Sequence, residues 1–147
     1  MMEFRNATAE DVHTIRAFIA DIVIEVYGHV INDIPATITK DELLAQSLLV
    51  FIGQRLVGVG LSVDDIVDDI WLSAGARGIG IGSEMLGRLE QQIVDRGFQT
   101  ARLRVLEENN RARRFYENHG WIVGHSYQHE RLGVNMVNYS KTLPNRS

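Results

Sequence analysis

The sequence predicts an α+β fold, an α/β sandwich: a mostly antiparallel sheet of about seven strands with about four helices packed on it. Three observations predict this. Strand-length apolar runs and segments of helical periodicity follow one another in the order β-α-α-β-β-β-α-β-α-β-β. Short turn signals join several of the strands, which makes antiparallel neighbours. Helices layered on such a sheet are then the economical way to bury both sets of apolar faces. The 147 residues suit a single domain, 1–147, large enough to bury a core without covalent staples.

Phe4 to Ala7 is the first strand. Thr8 opens a helix, with Asp11 three residues on as a variant capping box. Val12, Ile15, Phe18, Ile19, Ile22, Val23 and Val26 recur at helical spacing, so this helix has a wide buried face that ends near Tyr27-Gly28. Gly28 to Ile38 reads as a loop punctuated by Asn32, Asp33 and Pro35. Thr39-Lys-Asp-Glu42 is a capping box for a short second helix. Leu48–Ile52 and Leu56–Val63 form a hairpin around Gly53-Gln54-Arg55. Asp64 and Asp65 turn the chain into a strand from Val67 to Leu72. A helix follows from Ser83 to Arg96, burying Met85, Leu86, Leu89 and Ile93 and closing at Gly97. Thr100–Leu106 is a strand. Asn109 or Asn110 caps a helix that closes at Gly120. Trp121–Tyr127 and Val134–Leu143 are the last two strands.

Composition narrows the function. A net charge of −4 argues against non-specific nucleic-acid binding. With no cysteine, a disulfide framework, a zinc–thiolate site and a cysteine nucleophile are excluded. Met1-Met-Glu-Phe-Arg5 carries no signal-peptide pattern, and no apolar run approaches the length of a membrane span. The expectation is a cytoplasmic protein with neither nucleic acid nor membrane as partner.

The chain is organised around Ile70-Trp-Leu-Ser-Ala-Gly-Ala-Arg-Gly-Ile-Gly-Ile-Gly-Ser-Glu-Met-Leu86, an apolar run, a glycine-rich turn and a helix start. Glycine lets backbone approach a ligand closely. The first amides of a helix lack internal partners, and the helix dipole adds partial positive charge there. Such a turn suits a phosphate or pyrophosphate. A P-loop would need Lys then Ser or Thr after the last glycine, but Ser83 and Glu84 follow Gly82. A dinucleotide fingerprint places Ser83 or Met85 where its third glycine belongs. What remains is Arg-x-x-Gly-x-Gly, from Arg77 through Gly80 to Gly82. A glycine-rich connection with no ligand is the alternative.

The second informative stretch is Asn109-Asn-Arg-Ala-Arg-Arg-Phe-Tyr-Glu-Asn-His-Gly-Trp121. On a helix, Ala112, Phe115, Tyr116 and His119 share one side, and the small Ala112 admits something slender. An amphipathic helix with an aromatic anchor is the plain alternative. Together, Arg-x-x-Gly-x-Gly and, one strand later, Asn-x-x-Ala-x-x-Phe-Tyr-x-x-x-Gly-aromatic resemble the two signatures of the GNAT superfamily of N-acetyltransferases. The resemblance covers essentially the whole chain and is strongest from Val67 to Trp121.

It implies the GNAT acyl-CoA N-acyltransferase fold, in which the strand ending at Leu72 and the strand from Thr100 to Leu106 splay apart in the central sheet. It implies acetyl-CoA as co-substrate. The N–H of Ile70 would face the acetyl carbonyl, and the backbone of Leu72 would pair with pantetheine. The amides of Gly78, Ile79, Gly80, Ile81, Gly82 and Ser83 would hold the pyrophosphate, with Arg77 beside it. Asn109 and Ala112 would flank the pantetheine. Arg113 and Arg114 would reach a 3′-phosphate or form a solvated helix face. Ala74 departs from the proline common at that position. A homodimer is expected from family habit.

The resemblance implies acetyl transfer to a primary amine of a small molecule or peptide by direct attack in a ternary complex, the family's general route; with no cysteine, a cysteinyl acyl-enzyme is impossible. The resemblance makes Tyr116 the acid for the leaving thiolate, with a packing tyrosine as the alternative. A base must take the amine's proton. Strand alternation puts Asp68 on the face of Ile70 and Leu72 and Asp69 on the other. Asp68 is therefore the base candidate, against a solvated hairpin end formed by Asp64, Asp65, Asp68 and Asp69. No metal is expected: these aspartates do not follow a calcium-loop spacing, nor do His13, His29, His119, His125 and His129 follow a zinc one. Glu25 and Asp33 join the aspartates as groups able to attract a cationic amine. The alternative function is a non-catalytic acetyl-CoA-binding sensor or protein-interaction module.

Overall fold

The structure is a computed structural model. It describes residues 2–27, 40–130 and 133–144, with the backbone alone at 23–27. The strands are β1 (Met2–Asn6), β2 (Leu48–Ile52), β3 (Arg55–Val63), β4 (Ile66–Leu72), β5 (Thr100–Leu106), β6 (Ile122–Gln128) and β7 (Asn135–Thr142). The helices are α1 (Val12–Tyr27), α2 (Asp41–Leu44), α3 (Ile81–Asp95) and α4 (Asn110–Asn118). Short 3-10 turns at Ala9–Asp11 and Ala74–Ala76 lead towards α1 and α3. The element order is the one the sequence predicts. The seven strands are hydrogen-bonded in the order β1-β2-β3-β4-β5-β7-β6. The β1–β2, β2–β3, β5–β7 and β6–β7 pairs are antiparallel. The β4–β5 pair is parallel, and its register rests on one pair, Ile66 with Arg102.

The chain packs as two compact units, Met1–Leu61 with Asp69–Leu89, and Ser62–Asp68 with Glu90–Ser147. In the first, Ile15, Ile19 and Ile22 of α1 bury against Leu44, Leu49, Val59 and Trp71. Each fully buried isoleucine contributes about 2 kcal/mol of transfer free energy. Met85 and Leu89 of α3 reach Gly60, where an added Cβ would meet Met85 Sδ at 2.4 Å. Glycine in β3 is thus what lets this helix settle on the strand. In the second unit, β5 alternates buried Ala101, Leu103 and Val105 with exposed Arg102 and Arg104. Trp121 and Tyr139 are almost fully buried there.

Local signals explain the boundaries. The Asp11 carboxylate accepts the Thr8 N–H at 2.8 Å, one half of the expected capping box. Gly97 has φ +96, and the N–H groups of Gly97 and Phe98 return to the carbonyls of Val94 and Ile93. That is the expected glycine closure of α3. Several boundaries differ from expectation, among them β1, at Met2–Asn6 instead of Phe4 to Ala7, and the helix opened by Thr8, whose first turn is 3-10. Two more lie at the starts of α2 and α3. α2 takes Lys40 as its N-cap, with no side-chain cap bond, and Thr39 lies outside the described residues. α3 begins at Ile81, two residues before Ser83, because Ile81 and Gly82 are buried in its first turn instead of belonging to the glycine turn. No helix among the described residues is long and apolar enough to cross a membrane.

Candidate functional site

In the first unit, β4 ends at Leu72, and Ser73 N–H donates to Val57 O at 3.0 Å. The chain then makes its 3-10 turn and enters the glycines. Gly78 and Gly80 have φ of +79 and +87, conformations that side chains rarely adopt. Gly78, Ile79 and Gly80 are exposed, and a Cβ added at Gly78 or Gly80 would meet nothing within 4 Å. The i→i−4 bond from Glu84 N–H to Gly80 O, 3.2 Å, lies at the start of the α3 ladder. The amides from Gly78 to Ser83 therefore precede that ladder, at the positive end of the helix dipole. An open backbone cradle of this kind fits a pyrophosphate. Arg77 is half-buried, and its Nη2 donates to Leu72 O at 3.1 Å.

β4 sorts its two acids as strand alternation predicts. Asp68 is exposed; Ile70 and Leu72 are half-buried. Asp69 points to the other face, where it lines a crevice of about 10 Å³ with Ile19, Leu44, Ser47 and Trp71. The crevice has room for about one water. Ser47 Oγ is buried there with no hydrogen-bond partner among the described residues.

In the second unit, Asn109 is the N-cap of α4, and its Oδ1 accepts the Ala112 N–H at 3.2 Å. The two residues that the resemblance pairs are thus joined by one bond, and Ala112 is half-buried. Tyr116, one turn further, is 8% exposed. Its ring lies edge-on to Phe115 and Trp121, with centroids 5.2 and 6.0 Å away. Gly120 has φ +87 and closes the helix, and Trp121 N–H donates to Tyr116 O at 3.1 Å.

Several charged groups stand differently from the simple expectations. Asp65 does not belong to a merely solvated hairpin end: Arg102 donates to both its oxygens, at 2.8 and 3.0 Å. That bonding holds the Asp65 carboxyl below its ordinary range. Arg96 donates to the carbonyls of Asp64 and Ser62, tying down the same turn. Arg113 turns inward, to Tyr139 Oη at 3.0 Å and Glu107 O at 3.1 Å, while Arg114 stays exposed. Tyr139 Oη in turn donates to Glu117 at 2.5 Å, and burial, then the Glu117 contact, push its phenol upward. His119 Nδ1 donates to Phe115 O at 2.7 Å, so that ring serves the helix end. His13 and His125 are exposed and His129 half-buried. Among the described residues no three His, Asp or Glu side chains gather as a metal-binding group. The Glu25 side chain, His29 and Asp33 lie outside the described residues.

No curated protein sequence matches the chain. Solved structures do match in fold. An acetyltransferase of the GNAT family from Streptococcus pneumoniae superposes with TM-score 0.76 at 17% identity, over 98% of this chain and 100% of that one. The PaiA N-acetyltransferase from Thermoplasma acidophilum, in complex with coenzyme A, gives 0.75 at 17% identity over 97% and 99%. YncA from Salmonella typhimurium, with its cofactor acetyl-CoA, gives 0.76 at 15% identity over 100% and 96%. The family model described as Acetyltransferase (GNAT) family matches residues 16–121, which take in the glycine turn, the Asn109 cap and Tyr116, and the chain belongs to that family.

Proposed function

We propose that the protein transfers the acetyl group of acetyl-CoA to a primary amine of a small molecule or peptide, by direct attack within a ternary complex. The observation that carries this is the exposed cradle at Gly78–Gly80, two positive-φ glycines leading into the start of α3. Acetyl-CoA supplies the acyl group as an activated thioester. The amides from Gly78 to Ser83 hold its pyrophosphate, with Arg77 beside them. Leu72 offers backbone to the pantetheine arm, which Asn109 and Ala112 flank. The Ile70 N–H stabilises the charge that develops on the acetyl oxygen. Tyr116 protonates the departing thiolate, and its burial beside Trp121 fixes the ring for that task. Asp68, exposed at the start of β4, takes the proton that makes the amine nucleophilic.

The test is acceptor-dependent release of free thiol from acetyl-CoA across a panel of amines: a polyamine, an aminoglycoside, free amino acids and peptides with a free N-terminus. Turnover with one class is expected. Tight acetyl-CoA binding with no thiol release from any of them would favour the sensor instead.

A further inference from the structure

Trp121 is 2% exposed, yet its indole carries a donor that needs a partner. The partner is Glu90 of α3: Nε1–H donates to Oε2 at 3.1 Å. The other carboxylate oxygen accepts from Lys141 Nζ of β7 at 2.9 Å. Both charged side chains are largely covered, 15% exposed for Glu90 and 24% for Lys141. The Lys141 stem crosses the helix-closing glycine, where a Cβ on Gly120 would lie 3.6 Å from its Cε. One indole is thus held at its N–H by a carboxylate that a cation holds in turn.

A largely covered ion pair is seldom the most stabilising way to fill such a space; apolar side chains of similar size often do as well or better. What it adds is direction. Packing alone constrains an indole by shape, and a hydrogen bond to Nε1 adds a directional constraint on its rotation. The selected orientation presents the indole to the Tyr116 ring at an interplanar angle of 69°. The Trp121 backbone is fixed to the same residue through Tyr116 O.

We propose that Glu90 is a positioning residue: through Trp121 it sets the orientation of the Tyr116 phenol. This rests on the acid role given to Tyr116 above. A tyrosine that must deliver a proton to one sulfur loses rate when its ring wanders, even where substrate binding is unaffected.

The test compares Glu90→Leu, which removes the acceptor, with Glu90→Gln, which restores a carbonyl oxygen for the indole N–H. Each is made in the wild-type and Tyr116→Phe backgrounds. Kinetics use acetyl-CoA and the fastest amine of the panel. Ring order of Tyr116 is followed by NMR on protein with ¹³C-labelled tyrosine. With the wild-type background, Glu90→Leu is expected to lower kcat by about tenfold or more, leaving KM for acetyl-CoA nearly unchanged. Glu90→Gln should recover most of that loss, and the Tyr116 ring should flip faster only in the leucine variant. In the Tyr116→Phe background neither substitution should lower kcat further. Unchanged ring motion in Glu90→Leu would overturn the proposal whatever the activity. So would an equal fall in kcat in both backgrounds. Full turnover by Tyr116→Phe alone would instead remove the acid role, and ring motion would still decide whether the brace exists.

Discussion

Arg77 reaches back five residues to the strand it has just left, donating through Nη2 to Leu72 O at 3.1 Å. The bond spans the bend between β4 and the glycines, so the residue expected beside the pyrophosphate also shapes the turn that would hold it. One lone pair of the Leu72 carbonyl is used. Arg77→Ala should therefore weaken acetyl-CoA in two ways, by losing a cation and by loosening the cradle. The expected change is about tenfold in affinity by calorimetry, with a stability loss of about 1 kcal/mol for a part-exposed charged hydrogen bond. Arg77→Lys keeps the charge but not the planar fork, and should fall between the two. Equal affinity for all three would confine Arg77 to the turn.

Gly80 separates ligand contact from fold strain. Its φ of +87 strains any side chain, by about 1–2 kcal/mol for an ordinary L-residue. Yet a Cβ there meets no protein atom within 4 Å. Gly80→Val should leave a folded protein of lower melting temperature that acetyl-CoA no longer stabilises. Gly75 is the control, because a Cβ there also meets open space and its φ is not positive. Gly75→Ala should keep both melting temperature and acetyl-CoA stabilisation in a thermal-shift assay. Retained stabilisation of Gly80→Val by acetyl-CoA would show that this glycine is not approached.

What the sequence made legible was what short-range chemistry decides. The Asp11 bond to Thr8, the Gly97 closure and the Asn109 cap each depend on residues within five positions, and the structure has all three. The glycine turn ahead of α3 is likewise read in one stretch, although the positive φ of Gly78 and Gly80 is seen only in the structure. Contacts across long separations were not legible. Nothing near Arg113 in the chain announces Tyr139, twenty-six residues on, so a solvated helix face or a phosphate contact looked equally open for it. Glu90 resembled any polar position of an amphipathic helix, and only the tertiary structure gives it Trp121 and Lys141. The start of α3 lies two residues before the expected one because glycine reads as turn, while burial of Ile81 and Gly82 draws both into the helix.

Gly60 tests the packing beneath α3. A Cβ there would lie 2.4 Å from Met85 Sδ and 3.1 Å from Leu89 Cδ1, both on fully buried side chains. Met85 is flexible, but a filled core leaves it little room to retreat. Gly60→Ala should destabilise by about 1–3 kcal/mol, the usual cost of overpacking, measured by urea unfolding. Gly60→Ala with Met85→Ala should recover part of that loss if the clash is local. A double variant no more stable than Met85→Ala with the full penalty added would show that the strain lies in the backbone.

The acid limb of stability should come from two aspartates that arginines each grip through two guanidinium nitrogens. Asp65 accepts from Arg102, and Asp11 accepts from Arg5 at 2.9 and 3.0 Å and from the Thr8 amide. The arginine hydrogen bond is the largest cause in each case, and both carboxyls are held below their ordinary value of 3.8. A carboxyl with a lowered folded pKa binds fewer protons folded than unfolded over the interval between the two values. Its contribution is therefore complete above the unfolded value, about 4, and drains away as pH falls towards the folded one. Above about pH 5 these groups should add no slope to the melting temperature, and below about pH 4 the melting temperature should fall. Asp11→Asn should flatten that fall more than Asp65→Asn, because Asp11 also holds a backbone amide. High salt should shrink both differences, since the pairs are partly exposed. An acid limb of the same slope in wild type, Asp11→Asn and Asp65→Asn would place the titrating groups elsewhere in the protein.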